Sequence, residues 1–205
     1  MGVGTGRLAL PIAAHGLTVH GVDASERMLQ RLAERDTDQL VRAHHATFTT
    51  LDLDLRFDTV LAAYNALCCA PAQEEQLEVM RNIRRHVRDG GHVVIETYDP
   101  QIHLTGPDTA TSVRPLGPGR VMFESTQVVP ATQTVFMTSV LLTGGAPDVT
   151  VGFMRYVWPS EIDLMARAVG LEPVGRYAGW GRTEYTGNGQ MCVSVYRAVG
   201  EPGRA

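Results

Sequence analysis

Hydrophobic positions in the first half of the chain fall into short blocks whose spacing alternates between helix and strand. Leu8 to Ala14 is apolar at helical spacing and is stopped by Gly16. Leu17 to Val22 follows as a β-type run ending on Asp23. Ser25 stands as N-cap of a second helix, with Glu26 in its first turn and Met28, Leu29, Leu32 and Ala33 as its apolar stripe. A short strand is expected at about Val41–Ala46 and a buried strand over Phe57–Ala63. A third helix should run from about Ala72 to Arg88 on a stripe of Leu77, Met80, Ile83 and Val87, and Gly90-Gly91 should end it. HVVIETYDP is then the next parallel strand. Strands alternating with helices predict an α/β fold, a mostly parallel sheet with helices on both faces.

The alternation breaks after residue 103. Residues 104–119 are rich in Gly, Pro and Thr and read as a surface crossing. Arg120–Val129, Thr132–Leu142 and Val149–Trp158 read as three β segments with short connections, an antiparallel insert laid over the sheet. Pro159 suits the first turn of another helix, with Ile162, Met165, Ala166 and Val169 inward and Gly170 at its end. Strands at about Glu172–Ala178 and Met191–Val199 should form a final antiparallel hairpin. The chain thus divides into a part at 1–103, a β insert at 104–158, a helix and strands at 159–199, and a tail at 200–205.

Composition narrows the class without choosing a chemistry. A chain of 205 residues, 44% hydrophobic, suffices for one well-cored domain. The net charge of −4 argues against a nucleic-acid groove or an anionic membrane surface. No apolar run is long enough to span a bilayer, and the expected location is the cytoplasm. Of the three cysteines, Cys68 and Cys69 are adjacent, which gives neither metal-ligand spacing nor a disulfide framework. All three are expected to be buried reduced thiols.

Chemistry enters at the start of the chain. Gly2, Gly4 and Gly6 alternate through MGVGTGR, and Asp23 follows at the tip of the next strand. Glycines there let backbone N–H groups approach a ligand at the positive end of a helix. A carboxylate about twenty residues on can accept from both hydroxyls of a ribose. The pair indicates a nucleoside cofactor. A dinucleotide fingerprint would need glycine where Arg7 stands.

GVGTG followed by GVDAS resembles the first two motifs of class I S-adenosylmethionine-dependent methyltransferases, and the order of elements from Gly2 to about Val199 is similar to bacterial amino-sugar N-methyltransferases and glycine/sarcosine N-methyltransferase-like proteins. The resemblance implies a Rossmann-like sheet, S-adenosyl-L-methionine as cofactor, and an insert capping the acceptor site. It implies cofactor contacts at Gly2, Gly4, Thr5, Gly6, Asp23 and Ala24, with Met28 on the ribose and adenine. Ala63, Tyr64 and Asn65 would border the methionine part and the acceptor. Family members carry an Asp for the adenine amino group where Thr47 stands here, followed by Phe48. The apolar strand that precedes the glycine loop in the family has no counterpart, so the natural protein is expected to begin upstream.

For the chemical step, Tyr64 and His103 are the candidates. His103 lies just beyond HVVIETYDP, which the resemblance makes the family's fifth strand, where a general base could stand. Trp158, Trp180 and Tyr185 could wall an acceptor pocket, and Arg155 could pair with an acceptor carboxylate or phosphate. Arg182 is a second such candidate. Methyl transfer is mainly a matter of alignment, so lack of an obvious acid–base pair leans towards nitrogen over oxygen. The expected partner is a small-molecule acceptor, with no nucleic acid, membrane or metal, and a homodimer is left open. Two other classes fit parts of the pattern: a non-catalytic relative that keeps the fold for binding, and a nicotinamide oxidoreductase, which Arg7 disfavours.

Overall fold

The computed structural model describes residues 1–187 and 190–200. Its first elements are helix α1 (Ala9–Ala14), strand β1 (Val19–Asp23), helix α2 (Glu26–Arg35) and strand β2 (Val41–His45). β1 and β2 pair in parallel, Val19 opposite Val41 and Asp23 opposite His45. Ser25 caps α2 as expected, its hydroxyl accepting from Met28 N–H at 3.3 Å. Of the expected α2 stripe, only Leu32 is fully buried, and Met28 is exposed.

A second sheet holds β3 (Phe57–Ala62), β4 (Val87–Tyr98), β9 (Leu171–Tyr177) and β10 (Met191–Ala198), in the order β3-β4-β10-β9. β3 and β4 are parallel, and β10 is antiparallel to both its neighbours, so the final hairpin forms. Helix α3 (Gln73–His86) covers this sheet. It ends four residues before Gly90, because Val87 already pairs with Phe57. Its buried face includes two polar residues. Asn82 Nδ2 donates to the carbonyls of Phe48 and Leu51 at 2.9 Å each, and His86 Nε2 accepts from Leu53 N–H at 3.0 Å. The helix thereby clasps the segment that leads away from β2.

The expected single parallel sheet is therefore divided. The free edges of β1 and β3 face each other across a cleft of about 950 Å³. Among the described residues, Met1–Val3 spans their C-terminal ends. Val3 N–H donates to Val22 O at 2.9 Å, and the Met1 amino group donates to Leu61 O at 2.5 Å. Burial lowers that amine to about 6.

A short helix α4 (Gln101–Leu104) leads into the third sheet: β5 (Thr109–Gly117), β6 (Arg120–Val129), β7 (Thr134–Leu142) and β8 (Asp148–Arg155). It is an antiparallel meander with one strand more than expected, because β5 occupies most of the stretch read as a crossing. Helix α5 (Pro159–Ala168) follows, with Ile162, Met165 and Ala166 buried and Gly170 at φ +78° just beyond it. The base of the meander joins the main core through Val128, Val135, Met154 and Tyr156. A polar network locks it there. Arg155, 7% exposed, donates to Gln76, Gln133 and Glu161. Among the cysteines, Cys68 and Cys192 are buried, but Cys69 is exposed at the end of a 3-10 turn (Ala66–Cys69), against expectation.

Candidate functional site

The glycine loop is built by close approach. Gly6 is buried at φ +82°, and a Cβ there would lie 2.4 Å from Leu32 Cδ1. Gly4, at φ +54°, meets nothing within 4 Å of the same construction, so it faces open space. Asp23 ties the loop to the next helix, its carboxylate accepting from Gly4 N–H at 2.8 Å and from Ser25 N–H at 2.9 Å. Thr5 is held by Arg35, whose guanidinium donates to the Thr5 hydroxyl and carbonyl at 3.0 and 3.1 Å. The Phe48 ring lies against Gly2, where a Cβ would be 3.4 Å from it. The Ala24 carbonyl faces His45 Nε2 at 3.0 Å.

The opposite wall is the end of β3. Tyr64 and Asn65 follow Ala63 with φ of +52° and +59°, left-handed backbone that non-glycine residues rarely adopt. Four bonds hold that geometry. Tyr64 N–H donates to Glu96 Oε2 at 2.7 Å and Asn65 N–H to Glu96 O at 3.1 Å. The Asn65 side-chain oxygen accepts from Tyr98 N–H at 2.6 Å, and its carbonyl from Cys68 N–H at 2.9 Å. Across the opening, the Arg7 guanidinium stands 5.7 Å over the Tyr64 ring, a cation–π contact between the two walls. Glycine-loop, Asp23, Phe48 and Tyr64 candidates are thus brought to one region.

The remaining candidates divide. Trp180 Nε1–H donates to Glu96 Oε1 at 2.7 Å, and the Tyr185 hydroxyl donates to Asp99 Oδ2 at 2.7 Å, so both meet the end of β4. Burial, then the bond to Asp99, pushes the Tyr185 phenol up. His103, on α4, stacks on Tyr156 with ring centroids 5.7 Å apart, and burial lowers its pKa. Its Nε2 is buried without a partner among the described residues. Arg155 is committed to the network at the base of the meander, Trp158 packs against the core as N-cap of α5, and Thr47 bonds its own neighbours Thr49 and Thr50. Sequence reasoning missed Glu96, Tyr98 and Asp99; the available signal was a polar ETYD ending on an otherwise apolar strand.

S-adenosylmethionine fits the residues present. A glycine with open space where a side chain would stand, backbone N–H groups turned by left-handed glycines, and a carboxylate at the adjoining strand tip form a cradle for a nucleoside. Gly2, Gly4, Thr5, Gly6 and Asp23 would hold it, with Phe48 and Tyr64 beside them.

Comparison with known proteins agrees. A family profile described as a methyltransferase domain matches residues 1–93. The cypemycin N-terminal methyltransferase of a Streptomyces species is 32% identical over 198 residues, covering 95% of this chain and 80% of the relative. The CcbJ methyltransferase of Streptomyces caelestis has the same fold at TM-score 0.91 and 35% identity, covering 97% of this chain and 82% of that one. CalS10 of Micromonospora echinaspora, an amino pentose methyltransferase solved with S-adenosylmethionine bound, shares the fold at TM-score 0.73 and 24% identity over 96% of this chain and 81% of its own. A relative matched along nearly the whole chain, joined to a loop and carboxylate built for a nucleoside, means that the chain belongs to the S-adenosylmethionine-dependent methyltransferases.

Proposed function

We propose that the chain methylates the nitrogen of an aliphatic amine on a small molecule or peptide, with residues 104–158 capping the acceptor. The observation that carries nitrogen over oxygen is the similarity to the cypemycin N-terminal methyltransferase, and the group assigned to remove the proton is His103. Its Nε2 is buried and unpartnered among the described residues, and burial lowers its pKa, which favours the neutral ring. An amine reaches an enzyme mostly as ammonium and must lose a proton before its lone pair is free. A neutral, unpartnered imidazole nitrogen is suited to take it.

When bound, S-adenosylmethionine supplies a methyl group activated on a sulfonium. The chain's own tasks are then to orient the acceptor, exclude water and hold the proton. Tyr64, fixed by Glu96, borders the acceptor side of the cofactor region. Trp180 and Tyr185 wall the acceptor from the loop between β9 and β10, and Trp158 supports the base of the cap. That the cypemycin relative is named for an N-terminal methylation supports nitrogen as the acceptor.

The test is transfer from S-adenosylmethionine carrying an isotopically labelled methyl group to paired amine and hydroxyl acceptors, amino sugars and peptide N-termini among them. Mass spectrometry and NMR would locate the methyl group. N-methyl products support the proposal; transfer only to oxygen, or to none of the amines, overturns it.

A further inference from the structure

The end of β4 carries charge that neither cofactor binding nor proton removal explains. Glu96 and Asp99 are 7% and 0% exposed. Among the described residues, neither has an arginine or histidine within salt-bridge distance. Glu96 accepts from Tyr64 N–H and Trp180 Nε1–H, and Asp99 from the Tyr185 hydroxyl and Gln101 N–H. Neutral donors offset part of the desolvation of a carboxylate, but no cation completes the site.

Aromatic rings stand beside Glu96. Tyr64 and Trp180 are 63% and 56% exposed, although each is tied to Glu96. Tyr98, between the two acids in sequence, meets Tyr64 edge-on with centroids 6.0 Å apart. Large rings left open around buried negative charge are the elements that recognise an ammonium group, through ring faces and a carboxylate together. The Tyr64 ring already has the Arg7 guanidinium over it. His103 Nε2, seven residues on from Glu96, is buried without a partner among the described residues, and it can accept from a donor-rich ammonium.

We propose that Tyr64, Tyr98 and Trp180 form an open aromatic box beside the Glu96 charge, and that this box receives the acceptor as an ammonium ion. The inference rests on the amine reading above and adds how the acceptor is chosen. A neutral hydroxyl acceptor of the same shape gains neither the carboxylate nor the ring faces, and an anionic one is repelled. The shared chemistry is an alkylammonium, whether it sits on a sugar or at a peptide N-terminus. The box reads the charge, and the remainder of the cap reads the rest.

The probe is choline, compared with its uncharged carbon isostere 3,3-dimethylbutanol. Both are titrated into the protein already saturated with S-adenosylhomocysteine, with the indole N–H signals of its two tryptophans followed by NMR. Trp180→Phe assigns the Trp180 signal. Choline should move that signal saturably and bind at least about tenfold more tightly than the isostere. Glu96→Gln should remove that preference while S-adenosylhomocysteine still binds. If Glu96→Gln does not fold, Tyr98→Leu, read on the Trp180 indole, should reduce the preference severalfold. Equal affinity for both probes, a preference that survives in Glu96→Gln, or choline excluded by S-adenosylhomocysteine overturns the box. Labelled-methyl transfer to glucosamine and to a short peptide then separates the two sources of ammonium. N-methyl products with no ammonium preference would overturn the box and leave the amine reading standing. Ammonium preference with only O-methyl products would overturn the amine reading instead.

Discussion

Asp23 Oδ2 accepts the backbone N–H of Gly4 at 2.8 Å, across nineteen residues of chain. The same carboxylate holds Ser25 N–H, so one side chain sets both the glycine loop and the start of α2. A carboxylate has about four lone-pair directions. Two are used inside the protein, and two remain for ribose hydroxyls. Replacing Asp23 by Ala should therefore weaken S-adenosylhomocysteine binding by about 2 kcal/mol, roughly thirtyfold. Isothermal calorimetry checks this, and an unchanged dissociation constant would remove Asp23 from the site.

Gly4 and Gly6 should separate binding from stability. Both have left-handed backbone, but only Gly6 has a neighbour in the way. Gly6→Ala should lower folding stability by more than about 2 kcal/mol, since strain and overpacking against Leu32 add. Gly4→Ala should cost only about 1 kcal/mol in folding but at least as much in cofactor affinity. Urea denaturation and calorimetry on the two variants would show the split; matching profiles would contradict it.

His103 supplies a pH signature. Burial lowers its pKa, so the folded protein binds a proton there less readily than the unfolded chain. Its contribution to stability is intact above the ordinary value of 6.5 and is lost as pH falls below it. The acid limb of kcat/KM for an amine acceptor should likewise lie below 6.5. His103→Ala should lower kcat about a hundredfold and abolish that limb, leaving S-adenosylhomocysteine binding within twofold. A limb that persists in the variant belongs to another group.

The Arg155–Glu161 pair makes a different pH prediction. Burial alone would raise the Glu161 carboxyl. Bonds from Gln133, Arg155 and Gln73 outweigh it and hold the group below 4.5. A depressed carboxyl stabilises the fold above its unfolded value, and that stabilisation is lost as pH falls through the folded one. Acid unfolding should therefore begin at higher pH in Glu161→Gln. Glu161→Ala, which leaves Arg155 unpaired at 8% side-chain exposure, should cost about 3 kcal/mol. Circular dichroism across pH 3 to 7 reads both, and coincident acid transitions would dismiss the pair's role.

What could be read from the chain was local. Ser25, Glu26 and Asp23 announce a strand tip and a helix cap within four residues, and the alternation in Arg120–Val129 needs only itself to declare a strand. β5 escaped because every residue in it is exposed and its Gly and Pro content imitates a loop; only pairing with β6 reveals it. Glu96 escaped for the opposite reason. Its partners Tyr64 and Trp180 lie 32 and 84 residues away, and no spacing rule links them. The end of α3 was misplaced because Gly90-Gly91 is the louder local signal, whereas Val87 leaves the helix to meet Phe57.

The cofactor region gathers groups carried by two different sheets. Gly4 and Asp23 stand at the end of β1, and Tyr64 follows the end of β3. A ligand that touches both, and binds the folded chain alone, lowers the population of any opened state that releases either one. Occupancy of the site is thereby written into the exchange rates of amides in Val19–Asp23, well away from any reacting atom.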